Sequence, residues 1–305
     1  MNKRVLTIVG LALTIFLILT FLISRSKRGP RVLSKADSLY KRAASLQSKG
    51  QMPEAIELYQ EMISKFPYAE KTAYAWWKLG ESHEDKGLLE PAKEAYTRII
   101  ANFPNFEQIS EAEQKLWDLN TKILFSPVVT DKDIIYKVEP GDTLIKIAVK
   151  HNTTVDLIMR GNGLKSDLIR PGQRLKINTV KYTVIVDKSQ NSLTLKGDGE
   201  IFKVYPIATG KHNSTPVDTF KIVEKLKNPP WYKKGSGSPI PSGSPENVLG
   251  TRWLGLSEPG YGIHGGATEE DLGNQLTDGC VRMSNSNVEE LFVILPRGTE
   301  VTIVD

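Results

Sequence analysis

The chain has one cysteine, Cys280, and only four histidines in 305 residues. A single thiol cannot close a disulfide within the chain, so no disulfide framework supports this fold. A basic stripe is also missing, because the formal charge of +5 is unevenly divided. Residues 1–33 hold six Lys or Arg and no acid, and residues 134–179 hold eight bases against four acids. Residues 34–133 sum to −3 and residues 180–305 to −2. None of these segments has the dense positive field that nucleic acid demands, which sets that partner aside. Long apolar runs are absent except at one place. Residues 5–23 contain no charged side chain and are rich in Leu, Ile and Phe. As a helix this run would reach about 28 Å, close to the hydrocarbon thickness of a bilayer. A cleaved signal peptide is the alternative. The length of the run, the Ser24-Arg25-Ser26-Lys27-Arg28 after it and the lack of an A-x-A-like site favour an uncleaved membrane anchor. Lys3 and Arg4 precede the run, while Arg25, Lys27, Arg28 and Arg31 come after it. Charge alone therefore slightly favours a cytoplasmic position for the domains C-terminal to the run.

At 34.0 kDa, with 40% hydrophobic and 25% charged residues, the remainder reads as folded material in two or three domains. After the 1–33 anchor and its basic flank, residues 34–122 repeat. KGQMPEAIELYQEMISKFP (49–67) aligns with KGLLEPAKEAYTRIIANFP (86–104) at a shift of 37 residues. Ala55 matches Ala92, Tyr59 matches Tyr96, Ile63 matches Ile100, and Phe66-Pro67 matches Phe103-Pro104. Apolar residues at helical spacing predict a helix in each copy, opened by Gly and ended by Pro. Partner helices are expected over 34–49 and 72–86, with a capping helix over 107–120. The pattern resembles tetratricopeptide helix pairs with a slightly long period. It implies either a docking surface for a protein partner or a helical spacer.

Residues 134–178 predict a small βααβ domain: a strand over 134–138, helices opened by Asp142 or Thr143 and by Thr154, and a strand over 175–177. Tyr136-x-Val138-x-x-Gly141-Asp142-Thr143-Leu144, then Ile147-Ala148, Asn162 and Pro171-Gly172-Gln173-x-Leu175, resembles the LysM pattern nearly end to end. LysM domains bind N-acetylglucosamine-containing glycans such as peptidoglycan. The resemblance implies a glycan groove at Gly141, Asp142, Thr143 and Asn162. Most of these residues also suit turns, caps and core.

From 180 to 305 the text is mainly β. Strands are expected over 182–187, 192–197, 201–210, 219–225 and 299–304, with a mobile Gly/Ser/Pro loop over 235–245 and one helix from about 286 to 295 capped by Ser286. This segment holds Cys280 between Gly279 and Val281, and His264 sixteen residues earlier. A thiol becomes a useful nucleophile only when a base takes its proton or its pKa falls. Of the four histidines, His264 alone shares a compact, Gly-bounded unit with Cys280. The pattern argues for acyl transfer through a thioester, against the alternative of a small buried cysteine beside an ordinary loop histidine.

Tyr261-Gly262-Ile263-His264-Gly265 with Gly279-Cys280-Val281-Arg282-Met283 resembles the active-site signature of the L,D-transpeptidase (YkuD-like) catalytic domain. Thr215-Pro216, Asn228-Pro229-x-Trp231, Asn247-x-Leu249-Gly250 and Arg252-Trp253 agree with it. The resemblance implies that Cys280 is the nucleophile, His264 its base, and the Gly265 carbonyl the holder of the imidazole N–H. The amides of Gly279 and Cys280 would line an oxyanion hole. Tyr261, Trp231 and Asn247 would meet substrate, and Arg282 would either steady the loop or meet a substrate carboxylate. The family cleaves the L,D peptide bond of a peptidoglycan tetrapeptide stem, expels D-alanine and passes the acyl group to another stem's amine. No cofactor and no metal is implied. One departure is Asp278, where many members carry histidine; aimed at the thiol, it would raise the cysteine pKa. The expected protein is thus a single-pass membrane enzyme whose catalytic domain lies outside the cytoplasm among peptidoglycan stems and strands. An L,D-carboxypeptidase and a catalytically weak wall-binding scaffold are the alternatives.

Overall fold

A computed structural model of the chain describes residues 30–232 and 237–305. The apolar run at 5–23 lies outside the described residues. Among the described residues, no helix is long and apolar enough to cross a membrane. The chain divides into two compact units, with the boundary between Leu116 and Trp117.

The first unit is helical. It contains α1 (Pro30–Ser48), α2 (Met52–Lys65), α3 (Thr72–Asp85), α4 (Leu89–Asn102) and the start of α5 (Ile109–Leu124). The turns after α1 and α3 place Gly50 and Gly87 at φ +76° and +68°, where a side chain would be strained. The 37-residue period is physical as well as textual. Tyr59 Oη donates to Gln47 Oε1 at 2.9 Å, and its counterpart Tyr96 donates to Glu84 Oε1 at 2.6 Å. The N–H groups of Phe66 and Phe103 close their helices on Met62 and Ile99 in the same way. Ala55 and Ala92 are fully buried, so the paired helices approach closely.

The second unit begins within α5. The sequence ends this helix near Asn120, but it runs to Leu124, because Leu119, Ile123 and Leu124 are buried and Leu124 joins the β-domain core. Next comes a small βααβ segment: β1 (Asp133–Lys137), α6 (Leu144–Lys150), α7 (Val155–Gly161) and β2 (Arg174–Asn178). Its two strands pair antiparallel from Asp133↔Asn178 to Lys137↔Arg174. Thr143 and Thr154 cap the helices by accepting from the N–H groups of Lys146 and Leu157. Leu144, Ile147, Ile158, Leu175 and Ile177 form its core.

This segment is docked on the β-domain, not hung from it. Leu157 packs into the β-domain core, and Thr154 Oγ1 donates to the Val293 carbonyl at 2.5 Å. Lys176, 5% exposed, donates to the carbonyls of Ile123 and Ser126 at 3.0 and 2.9 Å.

The β-domain is built on an eight-stranded sheet ordered β11-β9-β8-β7-β12-β3-β4-β5. Its strands are β3 (Tyr182–Asp187), β4 (Ser192–Gly197), β5 (Glu200–Pro206), β7 (Asp218–Lys227), β8 (Arg252–Leu256), β9 (Gly262–His264), β11 (Val281–Arg282) and β12 (Glu300–Val304). A short parallel pair, β6 (Thr209–Gly210) with β10 (Gln275–Thr277), forms a second ladder joined to β11 by the Ala208–Arg282 bridge. Val184, Val186, Leu193 and Leu195 alternate inward, as half-buried strands require. Most neighbours are antiparallel, but β12 runs parallel to β3, and β9 parallel to β11. The single helix of this domain, α8 (Asn285–Ile294), buries Val288, Leu291 and Phe292 in the core. Its cap is Ser284, not the expected Ser286: Ser284 Oγ accepts from the Asn287 N–H at 3.2 Å.

Candidate active site

The parallel pairing of β9 and β11 brings the two halves of the motif together. Its register sets Ile263 beside Val281 and His264 beside Arg282, so Cys280 enters β11 next to Gly262. The Gly262 N–H donates to the Cys280 thiol, and Sγ lies 3.6 Å from the Gly260 carbonyl.

His264 ends β9 and is 2% exposed. Its Nδ1 lies 2.8 Å from the Gly265 carbonyl. A carbonyl only accepts, so Nδ1 carries the proton and Nε2 keeps a lone pair able to receive one. Burial lowers the imidazole pKa from its ordinary 6.5 to about 4. The Gly265 and Val248 carbonyls oppose that fall, and the Arg282 guanidinium adds to it. Burial likewise pushes the Cys280 thiol up, against the Gly262 amide and Arg282, which favour the thiolate. Both shifts favour the uncharged forms, a thiol and a neutral imidazole, over a preformed ion pair.

Asp278 is exposed, and it is the smallest of the influences on Cys280, well behind burial. Its place in the motif thus amounts to a minor electrostatic push on the thiol.

The turn before Cys280 is set by Thr277, a residue without a role in the sequence motif. Thr277 Oγ1 accepts from the Gly279 N–H at 3.2 Å and donates to the Cys280 carbonyl at 2.6 Å. The Gly279 N–H, expected to line an oxyanion hole, is thus held by Thr277 in this structure. The Cys280 amide is what this turn has left to offer. Gly279 itself is required by φ +127° and by Tyr261, whose Cε1 would lie 2.7 Å from any Cβ there.

Other expected residues fall into structural roles. Asn247 donates to the carbonyls of Pro229, Ile240 and Pro241 and accepts from the Leu249 N–H. Its amide clamps the 229–249 loop, a structural role for a residue expected to meet substrate. Trp231 is half-buried and exchanges backbone bonds with Ile240 at 2.8 and 2.9 Å. Arg282 lies 3.8 Å from Asp271, and its buried Nε has no protein partner among the described residues.

In the βααβ segment, Asp142 accepts from the Tyr136 hydroxyl and the Glu139 N–H, both at 2.8 Å, and Thr143 caps α6. Asn162 donates to the Ile158 and Lys176 carbonyls and accepts from the Lys176 N–H at 2.7 Å. Gly141 turns at φ +86°. These four shape the loop and the helix end. The Asn162 side chain in particular ties the end of α7 to β2, a structural role for a residue expected at the glycan groove.

Trp253 enters the sequence motif only through the pair Arg252-Trp253. In the fold its ring stacks on His264 with centroids 6.0 Å apart and an interplanar angle of 26°, and its Nε1–H donates to Glu224 at 3.0 Å. A Cβ at Gly262 would lie 2.5 to 2.8 Å from three Trp253 ring carbons, so glycine there lets the indole cover the strand. Asn285, absent from the motif, receives the N–H groups of Thr251 and Gly266 at 3.1 Å each. No local sequence signal marks it.

A buried imidazole held through Nδ1 ends the strand paired with the one that follows the thiol at its glycine turn, which makes His264 and Cys280 the candidate site on a mainly-β scaffold. Comparison with known proteins makes the assignment specific. The family model of the L,D-transpeptidase catalytic domain matches residues 181–303, that of the LysM domain 136–178, and that of the tetratricopeptide repeat 37–67 and 74–105. YqjB of Bacillus subtilis, a putative L,D-transpeptidase, is 42% identical over 128 residues, 40% of this chain and 70% of that protein. The similarly named YkuD of Bacillus licheniformis is 35% identical over 178 residues, 56% of this chain and 98% of that protein. YkuD of Bacillus subtilis is 33% identical over 177 residues with the same coverage. The chain belongs to the L,D-transpeptidase family, with a LysM domain and tetratricopeptide repeats ahead of the catalytic domain.

Proposed function

We propose that this L,D-transpeptidase works through a Cys280 acyl-enzyme on the L,D bond of a peptidoglycan tetrapeptide stem. As Sγ attacks the carbonyl carbon, His264 Nε2 takes the thiol proton, and the Gly265 and Val248 carbonyls stabilise the imidazolium that forms. The Cys280 amide faces the oxyanion. Collapse breaks the C–N bond, the imidazolium returns its proton to the departing D-alanine amine, and a thioester remains. An amine of a second stem then attacks the thioester and releases the thiol. The observation that carries this reading is the Nδ1–Gly265 bond, which leaves the ring's lone pair on Nε2, on the strand paired with the one that Cys280 leads into.

Arg282 is the proposed contact for a stem carboxylate, supported by its buried Nε without a protein partner among the described residues. The LysM domain would bring glycan strands to the site and raise the local stem concentration. Its packing into the β-domain core favours a fixed approach over a free tether. The apolar run at 5–23 is proposed as a single-pass anchor with the catalytic domain outside the cytoplasm, and the helical repeats as a surface for a protein partner.

Incubation with a carbapenem tests the chemistry. The expected result is a mass increase on the wild-type protein that Cys280→Ala lacks; a folded wild-type protein without an adduct would leave a wall-binding scaffold. Muropeptide products with and without an amine acceptor separate transfer from hydrolysis. A reporter fused after Asp305 should lie outside the cytoplasm, and a cytoplasmic signal would overturn the wall assignment.

A further inference from the structure

The Gly265 carbonyl that holds His264 belongs to the peptide joining Gly265 to Gly266, and the other end of that peptide is also held. Its N–H, on Gly266, donates to Asn285 Oδ1 at 3.1 Å, while its C=O accepts from His264 Nδ1 at 2.8 Å. In a trans peptide these two groups point in opposite directions, so fixing the N–H fixes the carbonyl. The same Asn285 oxygen takes the Thr251 N–H at 3.1 Å, which ties the chain just before β8 to the end of β9. Three glycines surround the clamp. A Cβ on Gly250 or Gly265 would strike Asn285 Oδ1, and one on Gly266 would lie 2.6 Å from the Val248 carbonyl. Asn285 is itself immobilised as the first residue of α8, just after the Ser284 cap.

We propose that Asn285 is a positioning residue for the Cys280–His264 pair, acting through the Gly265–Gly266 peptide; this rests on the acyl-transfer reading above. The chain Asn285 Oδ1 to Gly266 N–H, then Gly265 C=O to His264 Nδ1–H, aligns the imidazole as a buried carboxylate does in hydrolase triads, but without a charge. The bond that the Gly266 N–H donates to Asn285 also polarises the carbonyl toward the ring. Neutrality suits the site. The charged group facing His264 is Arg282 on β11, while Trp253 on β8 and the Val248 carbonyl complete its surroundings. A neutral clamp orients the ring while leaving its proton affinity to burial.

The test is the rate of carbapenem acylation of the full chain, measured by intact mass across pH, for wild type, Asn285→Ala, Asn285→Asp and Cys280→Ala. Asn285→Ala should slow acylation on the order of 10²-fold, as misplacement of a reacting group does, with the adduct still on Cys280. Asn285→Asp keeps an oxygen for both N–H groups. It should restore the rate to within a few-fold, with the acid limb of the profile moved to higher pH by the added negative charge. A folded Asn285→Ala acylated at the wild-type rate, or an Asn285→Asp as slow as it, would overturn the proposal. Should Asn285→Ala fail to fold, the His264 tautomer in the wild-type protein decides, read from ring ¹⁵N shifts: Nδ1–H is required, and Nε2–H would refute the alignment. Absence of an adduct on wild type, or an adduct surviving in Cys280→Ala, would instead remove the acyl-transfer reading, and the tautomer would still judge Asn285.

Discussion

The pH response of His264 offers the sharpest test of the site. Burial takes its pKa from 6.5 to about 4 in the folded protein, while in the unfolded chain it returns to about 6.5. Between those values the unfolded chain binds more protons, so stability rises with pH there. The contribution is complete above pH 6.5 and is lost as pH falls toward 4. At about 1.4 kcal/mol per unit, the loss from this one residue is about 3 kcal/mol. His83 and His151 are lowered by burial in the same direction, so the wild-type curve alone is not diagnostic. The difference between wild type and His264→Gln is. Urea unfolding at a series of pH values should give a wild-type stability that falls by about 3 kcal/mol more than that of His264→Gln between pH 7 and pH 4. The Cε1–H resonance of His264 should titrate with a midpoint near 4. A midpoint near 6.5 would mean that the ring is solvated, and the neutral resting pair derived from its burial would fall with it.

Three further substitutions probe the surroundings of the pair. Thr277→Val keeps the shape but leaves the Gly279 N–H and the Cys280 carbonyl without their partner, which should cost about 2–4 kcal/mol in urea unfolding and slow acylation; unchanged stability would remove Thr277 from its role in the turn. Gly262→Ala should displace the Trp253 ring from His264 at a cost of about 1–3 kcal/mol, and an unaltered His264 titration would argue against the stack as a cover. Glu290 accepts from the hydroxyls of Tyr205 and Thr121 and pairs with Lys203 at 3.2 Å, joining α5 and α8 to the sheet. Glu290→Ala should lower the melting transition of the second unit by an amount equivalent to about 3–5 kcal/mol, and a near-neutral effect would show that the latch is solvated.

Local features were legible in the sequence because their causes are local. The 37-residue period returned as matched helix pairs, with the same tyrosine reaching back to position 47 or 84. Strands β3 and β4 fall where alternation placed them. The failures share a different cause. Helix α5 outran its expected end because residues 119–124 find a partner far along the chain. Strands β8, β9 and β11 are short, and one runs parallel to another, so no local period announces them. Asn247, Asn162 and Asp142 were expected at binding positions because of the family motifs they belong to; only coordinates reveal that backbone groups bond to their side chains.

By itself the sequence determined the inventory: one thiol, one histidine at a fixed spacing, glycines around both, and the helical and β segments that carry them. Tertiary structure alone decided the register of β9 on β11, the burial that keeps His264 neutral, the commitment of the Gly279 amide to Thr277 and the clamp of Asn285 on the Gly265–Gly266 peptide. The division has a physical reason. Propensity and turn chemistry act over a few residues, whereas proton affinity and hydrogen-bond capacity depend on what distant segments bring into contact.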